Sequence, residues 1–412
     1  MKPLLFLLVL PLWCPLLALA ADAPDLPPAT LVEKALRVHP LVRAAGSGVA
    51  AEEANRERLA AGPHEFALKL SSQQRRERPL GMNYREHEIG LERAIRMPGK
   101  AAADAELGAV GVEQARHAQG DALHETARLL LARWFEWQRE AAAAREWAAQ
   151  VASLQAQHAV VGKRVGAGDA AKLEELLSGA QLAQAQGQQA RAANGQERAA
   201  LEFTQHFSGI PLPSQVTLEV PPAIADSPEA WRERILTHNH ELAVARGGAR
   251  RGRLAAQRLD AERLPDPTLG LKFGSERDGQ ERIVGVQLTI PLPGGARAAS
   301  ARAGAAEADA AGAREALTLA RVEAEAQRTV RQAQQSREQW LRLAEVARRM
   351  DENAALLEKA WRLGEGQFAE LQSARRQAIE ARLAATQTRL DASEARYRLL
   401  LDAHQLWNTE AE

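Results

Sequence analysis

The 412 residues contain one cysteine, Cys14, and it lies inside the N-terminal apolar run. The rest of the chain therefore has neither a disulfide framework nor a thiolate metal site, and packing must hold it together. Aromatics are scarce at 4 %. Neither charge predominates: 53 basic residues face 53 acidic ones, which argues against a nucleic-acid partner. Past residue 20 no stretch is apolar for the roughly 18 residues that a membrane helix needs. No proline occurs between positions 101 and 161. The sequence shows no Ser/His/Asp arrangement in motif context, no HExxH and no Walker-type loop. The reading is of a protein that is not an enzyme and has no cofactor.

The N-terminus sets the compartment. Met1 and Lys2 open it, Leu4 to Leu19 is apolar, and small residues close it at 18–20. This is the pattern of an export signal peptide over residues 1–20 rather than of a membrane anchor. Trp13 before Cys14, and the apolar run continuing through Leu16 and Leu17, argue against an acylated cysteine. Removing residues 1–20 removes only Lys2, so the balance becomes 52 basic against 53 acidic residues. An exported chain without a membrane helix can still cross a membrane as strands, provided that they close.

What is present is a programme run twice. RVHPLVRAA (37–45) returns as THNHELAVA (237–245), and FALKL (66–70) as LGLKF (269–273). IGLERAIRMPGK (89–100) returns as VGVQLTIPLPGG (284–295), and RVGAGDAAKLEEL (164–176) as RLGEGQFAELQSA (362–374). The boundaries read as 21–212 and 213–412. Each half is expected to run helix, two strands, long helix, tight turn, long helix.

The long helices follow a coiled-coil period. One seam is Leu123, Ala127, Leu130, Trp134, Trp137, Ala141, Ala144, Ala148 and Val151. The other is Leu319, Val322, Ala326, Ala333, Trp340, Leu343, Ala347, Met350 and Leu357. Return helices are expected over about 170–207 and 367–407, the latter carrying Ile379, Leu383, Leu390, Tyr397, Leu400 and Trp407. These helices alone are compatible with a fibrous coiled coil.

Strands are expected at about 66–73, 86–96, 268–275 and 282–291. Leu269, Leu271 and Phe273 alternate with polar or small residues, as do Val284, Val286, Leu288 and Ile290. In the first copy Phe66, Leu68 and Leu70 do the same, while Arg93 interrupts the face of Ile89, Leu91 and Ile95. Period-2 segments with one apolar and one polar face are the signature of outer-membrane barrel strands. Four strands cannot close a barrel, so the chain supplies a fraction of one and a homo-oligomer is expected.

On these motifs the chain resembles the TolC-like outer-membrane efflux proteins, over essentially its whole length after residue 20. The residues that carry the resemblance are IPLPGGARAA leaving a strand for a helix, the tip segments RVGAGD and WRLGEGQFAEL, and HPLVRAA preceded by LVEKAL. Within that family the chain looks most like the CzcC-type channels of heavy-metal resistance systems. The resemblance implies a mainly α fold with a small β part. It implies a trimer with a twelve-stranded barrel in outer-membrane lipid, an α-helical periplasmic tunnel, a periplasmic adaptor and an inner-membrane RND-type pump. The implied function is a passive exit duct, conducting divalent heavy-metal cations. The alternatives are a duct for organic solutes or type I protein secretion, and a periplasmic coiled-coil protein.

The tips are the candidate functional residues. A helix ending at Gly166 or Gly364 can close in the left-handed conformation, and Asp169 suits the N-terminus of the returning helix as a cap. Ordinary turn chemistry accounts for this much. The resemblance implies more: Arg164, Val165, Gly166, Gly168, Arg362, Leu363, Gly364 and Gly366 as an adaptor-docking set, and Asp169 and Glu370 as aperture acids. A second acid expected one turn after Glu370 is replaced by Ser373. Three copies of Glu370 would form a negative ring that pairs with arginine. Of the ten histidines, His238 and His240 form an H-x-H pair at an expected helix start. His117 and His124 share a helix face one heptad apart. Neither pair has the further ligands of a metal site, and both are read as solvated or capping residues.

Overall fold

The computed structural model describes residues 23–409; the expected signal peptide and Cys14 lie outside them. Twelve main elements follow one another: α1 (Ala29–Val38), α2 (Pro40–Ala61), β1 (Phe66–Glu77), β2 (Met82–Ala94), α3 (Lys100–Gly166) and α4 (Lys172–His206). Then come α5 (Pro228–His238), α6 (His240–Ala261), β3 (Thr268–Glu276), β4 (Glu281–Thr289), α7 (Gly295–Arg362) and α8 (Phe368–Asp402). Each pair of strands is thus preceded by two helices, where one was expected. The break falls in the HPLV and HNHE segments and is made by different chemistry in each. Pro40 at the first position of α2 has no N–H to donate, and it biases His39 toward extended backbone (ψ 137°). Asn239 is extended (ψ 111°) and its side chain accepts from the Leu242 amide at 2.8 Å, a cap on the first turn of α6.

α3 has 67 residues and α7 has 68, so each reaches roughly 100 Å at 1.5 Å per residue. Absence of proline and abundance of alanine allow that length. α3 is the interior helix: it packs against α2 and α6 on the sheet side, and against α4 and α8 toward the tips. It buries 25 residues against 10 for α7. The helices therefore form an open layer, ordered α4–α3–α8–α7 toward the tips. Its two outermost members expose leucines: Leu173, Leu176 and Leu201 on α4, Leu317 and Leu356 on α7.

The largest apolar core sits at the waist. Leu130, Leu131, Trp134 and Phe135 of α3 meet Leu36, Phe203, Phe207, Leu390, Tyr397 and Leu401 there. The Trp134 indole N–H donates to the Asp25 carbonyl at 2.8 Å, and the Tyr397 hydroxyl to the Asp25 carboxylate at 2.6 Å. These bonds satisfy polar atoms that burial would otherwise leave costly.

The four strands form one antiparallel sheet in the order β1-β2-β3-β4. The strands of the first hairpin outrun their expected limits. The polar segment QQRRERPLGMNY (73–84), expected to be a loop, is largely ladder, paired from Gln73–Glu86 through Glu77–Met82. Only 78–81 turns, with Gly81 at φ +64°. The misreading has a plain cause: outside an apolar environment the alternation is polar with polar, and periodicity gives no signal. α8 stops at Asp402 rather than 407. His404 takes φ +55° and Trp407 φ +53°, so the chain folds back and Trp407 packs on the waist core from outside the helix.

Candidate functional site

The register of the sheet sorts its side chains into two faces. On one face Phe66–Arg93–Leu269–Leu288, Leu68–Leu91–Leu271–Val286 and Leu70–Ile89–Phe273–Val284 form three rows across all four strands. Their eleven apolar members are 44–73 % exposed. Ile95, Ile290 and Leu292 extend the same face toward the helices and are also exposed. An apolar band of this size open to solvent marks a surface made for another apolar medium or partner. Arg93, the interruption noted in the sequence, does not leave an unsatisfied charge in the band. Its guanidinium donates to the His64 carbonyl at 2.8 Å and lies 4.8 Å from the Phe66 ring centroid.

The opposite face is polar and alternates long with short. Lys69–Gly90–Lys272–Gly285 is one row, between Ala67–Glu92–Gly270–Gln287 and Ser71–Glu88–Gly274–Ile283. Lys69 pairs with Glu92 at 2.7 Å and Lys272 with Glu88 at 3.2 Å. A Cβ on Gly285 would lie 3.2 Å from Lys272 Cε, so the glycine makes room for the lysine stem.

Where sheet meets helices, a polar cluster that the sequence reading missed locks the two together. Lys100, 1 % exposed, donates to the Leu264 carbonyl at 2.7 Å and to Asp266 at 2.9 Å. Asp266 also accepts from the Met97 amide at 2.9 Å and pairs with His64 at 2.9 Å. Burial raises the Asp266 pKa, but hydrogen bonds from Lys100, the Met97 amide and His64 outweigh it and hold the carboxyl at about 2. Arg258 bonds Asp104 at 2.7 Å, and Arg297 reaches Glu262 at 3.0 Å. Each pair joins elements more than 30 residues apart, which no local pattern reveals.

At the waist four histidines converge from three parts of the chain. Around the His404 ring stand His124 (centroids 5.4 Å apart, stacked), His238 (5.7 Å) and His240 (5.1 Å, edge-on). The H-x-H pair straddles a helix break: His238 ends α5 and His240 starts α6. His117, expected to share its face with His124, is only partly buried and stays outside this group. Only His124 stacks on His404; His238 is tilted to it and His240 meets it edge-on. Among the described residues no group of three or more His, Asp or Glu side chains has metal-holding geometry. Asp402 anchors the cluster through Arg128 at 2.9 Å and Arg398 at 3.0 Å. Burial, then the neighbouring Arg128, push the His124 pKa from 6.5 down to about 3, against the opposing pull of Asp402.

That shift has a sign. Below pH 6.5 the unfolded chain takes up a proton at His124 that the folded chain refuses until about pH 3. Stability present above pH 6.5 is therefore lost as pH falls, by up to about 1.4 kcal/mol per pH unit. Thermal melts at pH 7.5 and pH 5 should show a drop for the native chain and a clearly smaller one for His124→Phe. Equal drops would remove His124 as the cause.

The tips meet each other. Val161 and Val165 of the first hairpin pack with Trp361, Phe368 and Leu371 of the second, and the Arg164 guanidinium lies 5.0 Å from the Trp361 ring centroid. Arg375 ties α8 to Glu358 on α7 at 2.8 Å and also to Gln157 on α3. Sequence reading passed over Trp361, Phe368 and Arg375, because their partners lie on the other hairpin or across the turn.

The closing turns correct the expected alignment. Gly168 (φ +83°) and Gly364 (φ +81°) are the left-handed residues, while Gly166 is the last residue of α3. Asp169 N–H bonds the Arg164 carbonyl at 2.8 Å, and Glu365 N–H the Ala360 carbonyl at 3.0 Å, the paired closure of a Schellman turn. Thus Gly168 matches Gly364, and Asp169 matches Glu365, two residues away from the motif match of Gly166 with Gly364. Asp169 does not cap α4; Ala171 holds that position, without a side-chain bond. Arg362, Leu363 and Gly364 form the exposed apex of the second hairpin, and Gly366 lies against the Trp361 backbone. Asp169 and Glu370 are exposed, and among the described residues neither carboxylate has a basic partner within its own chain.

No family model matches this sequence, and no curated protein matches it. Solved structures do match its fold. A membrane protein from Pseudomonas aeruginosa superimposes with a TM-score of 0.78 at 17 % identity, over 93 % of this chain and 91 % of its own. The outer membrane channel CmeC of Campylobacter jejuni gives 0.75 at 12 %, over 93 % and 86 %. The outer membrane protein VceC of Vibrio cholerae gives 0.74 at 14 %, over 91 % and 95 %. The chain shares the fold of these membrane proteins along nearly its whole length.

Proposed function

We propose that this chain is one of three subunits of an outer-membrane exit duct, working with a periplasmic adaptor and an inner-membrane RND-type pump. The observation that carries the reading is the sheet, apolar on one face, charged on the other, and unpaired at both β1 and β4. A sheet in lipid cannot leave edges open. Four strands from each of three chains close twelve, with the apolar rows in lipid and the lysine row in the lumen. The helical layer has the same incompleteness, since its outermost helices α4 and α7 expose leucines for a neighbour. In this reading the chain is two tandem units, 21–212 and 213–412, exported through the peptide at 1–20.

Closure would place Lys69 and Lys272 from each chain in one belt, two per chain and six per trimer, each beside a glutamate. The tips, with Arg164, Val165, Gly166, Gly168, Arg362, Leu363, Gly364 and Gly366, would face the adaptor, and Asp169 and Glu370 would line the aperture. Divalent heavy-metal cations are the substrate class that the resemblance to CzcC-type channels implies. The pump selects the substrate and the duct conducts it, since tight binding would slow transit.

The test is direct. In detergent the protein should be a trimer, and in planar bilayers it should form conducting pores. A soluble periplasmic monomer would refute the reading. Glu370→Ala should raise single-channel conductance and weaken cation selectivity; unchanged values would remove Glu370 from the aperture. Deleting the gene and challenging with zinc, cobalt, cadmium, nickel, copper and silver separates metal export from a general drug duct, which would show as sensitivity to dyes and detergents.

A further inference from the structure

Beyond the apolar rows, toward the hairpin turns, the sheet segregates its charges by face. On the polar face Arg75 pairs with Glu86 at 3.3 Å and with Glu276 at 3.6 Å, so the lumenal acids have partners there. The face that continues the apolar band is different. Its next row is Ser72–His87–Ser275–Arg282, and one and two steps further stand Arg85, opposite Gln74, and Arg76, opposite Asn83. No carboxylate belongs to this face between the last apolar row and the turns. Arg76, Arg85 and Arg282 are exposed, and none of their guanidinium groups has an acidic side-chain partner among the described residues; the Asp278 carboxylate of the adjoining turn accepts from the Arg85 amide at 2.8 Å instead.

A groove of about 610 Å³ crosses the sheet at this boundary. Its walls are the row Leu70–Ile89–Phe273–Val284 on one side and the row Ser72–His87–Ser275–Arg282 on the other. Its floor is the intervening row, whose side chains project to the lumen. Apolar contact is thus offered immediately below guanidinium and hydroxyl donors. Three guanidinium groups with one carboxylate, Asp278, at the edge of the strip leave it net positive, and that excess calls for an anion. Guanidinium suits phosphate in particular, because it can give two parallel hydrogen bonds.

We propose that this outward arginine strip binds the phosphate groups of an anionic lipid in the leaflet at the turn end of the sheet. The lipid's acyl chains would lie along the apolar rows, and its phosphates on Arg282, Arg85 and Arg76. The inference rests on the duct reading, which puts the apolar rows in a bilayer. Position, apolar continuity and net charge distinguish a membrane lipid from a soluble anion, since a free phosphate has no use for the lower wall of the groove.

The test uses the full-length protein purified in neutral detergent. It is titrated with diphosphorylated lipid A, with the same lipid stripped of phosphate, and with inorganic phosphate, and retained lipid is read by native mass spectrometry. Diphosphorylated lipid A should remain bound to the native protein. The variant R76Q/R85Q/R282Q should retain it on the order of 100-fold less, since each basic residue near an anionic lipid surface contributes roughly fivefold. The variant R76K/R85K/R282K should retain an intermediate amount. Equal retention of the phosphate-free lipid, undiminished retention by the glutamine variant, or competition by inorganic phosphate at equal concentration would overturn the inference. Pores measured in phosphatidylcholine bilayers separate it from its premise. A conducting protein that retains no phosphorylated lipid loses only this inference, whereas a protein without pores loses the duct as well.

Discussion

Leu271→Arg should remove this protein from the outer-membrane fraction. Leu271 stands in the middle of the three apolar rows, between Leu91 and Val286, and is half exposed. A charge at that depth on the lipid face of a barrel costs about 2–4 kcal/mol. Three copies multiply this to roughly 6–12 kcal/mol for a trimer, comparable with the 5–15 kcal/mol that stabilises an ordinary folded domain. Gln287→Arg is the matched control, one row away on the polar face, and should insert normally. Fractionation on a density gradient, with immunoblotting for the trimer, reads both. Normal insertion of Leu271→Arg would show that the apolar rows do not face lipid.

Lys100→Met should be the most destabilising single change outside the membrane. The ammonium is fully buried between Asp266, Glu262 and the Leu264 carbonyl; its removal leaves Glu262 with Arg258 and Arg297 but strands the Asp266 carboxylate with only His64 and the Met97 amide. Breaking one side of such a pair costs about 3–5 kcal/mol. Chemical denaturation should show a loss of that order. Adding Asp266→Asn should recover part of it, because the second change removes the stranded charge. In the native chain the depressed Asp266 carboxyl has its own pH signature. Its contribution is complete above about pH 3.8 and fades as pH falls toward 2, starting only near the acid end of the window, 6.5 to about 3, in which His124 acts. A mild loss in Lys100→Met, with no rescue by Asp266→Asn, would mean that the junction does not depend on this pair.

The two tip motifs show how far a local pattern reaches. RVGAGD and RLGEGQ each offer two glycines in a G-x-G, so matching letters pairs Gly166 with Gly364. Backbone geometry pairs Gly168 with Gly364 instead, because one glycine in each turn must take positive φ and the motif does not say which. Arg93 gives the opposite lesson. As a letter it weakens a strand; in place it reaches back to the His64 carbonyl and the Phe66 ring, and the apolar rows remain intact around it.

The sequence by itself determined the element types, most of their limits and the two-faced character of the strands. Those properties depend on neighbours two, three or four positions away, and such neighbours are written in order along the chain. It also carried the alternation that puts Arg76, Arg85 and Arg282 on the side of the leucines. Only the tertiary structure decided which strand lies beside which, and therefore that those arginines share one strip. It alone brought His124, His238, His240 and His404 to one point and buried Lys100 against Asp266. These contacts join residues 164 to 280 positions apart, and no periodicity in the sequence encodes a distance of that kind.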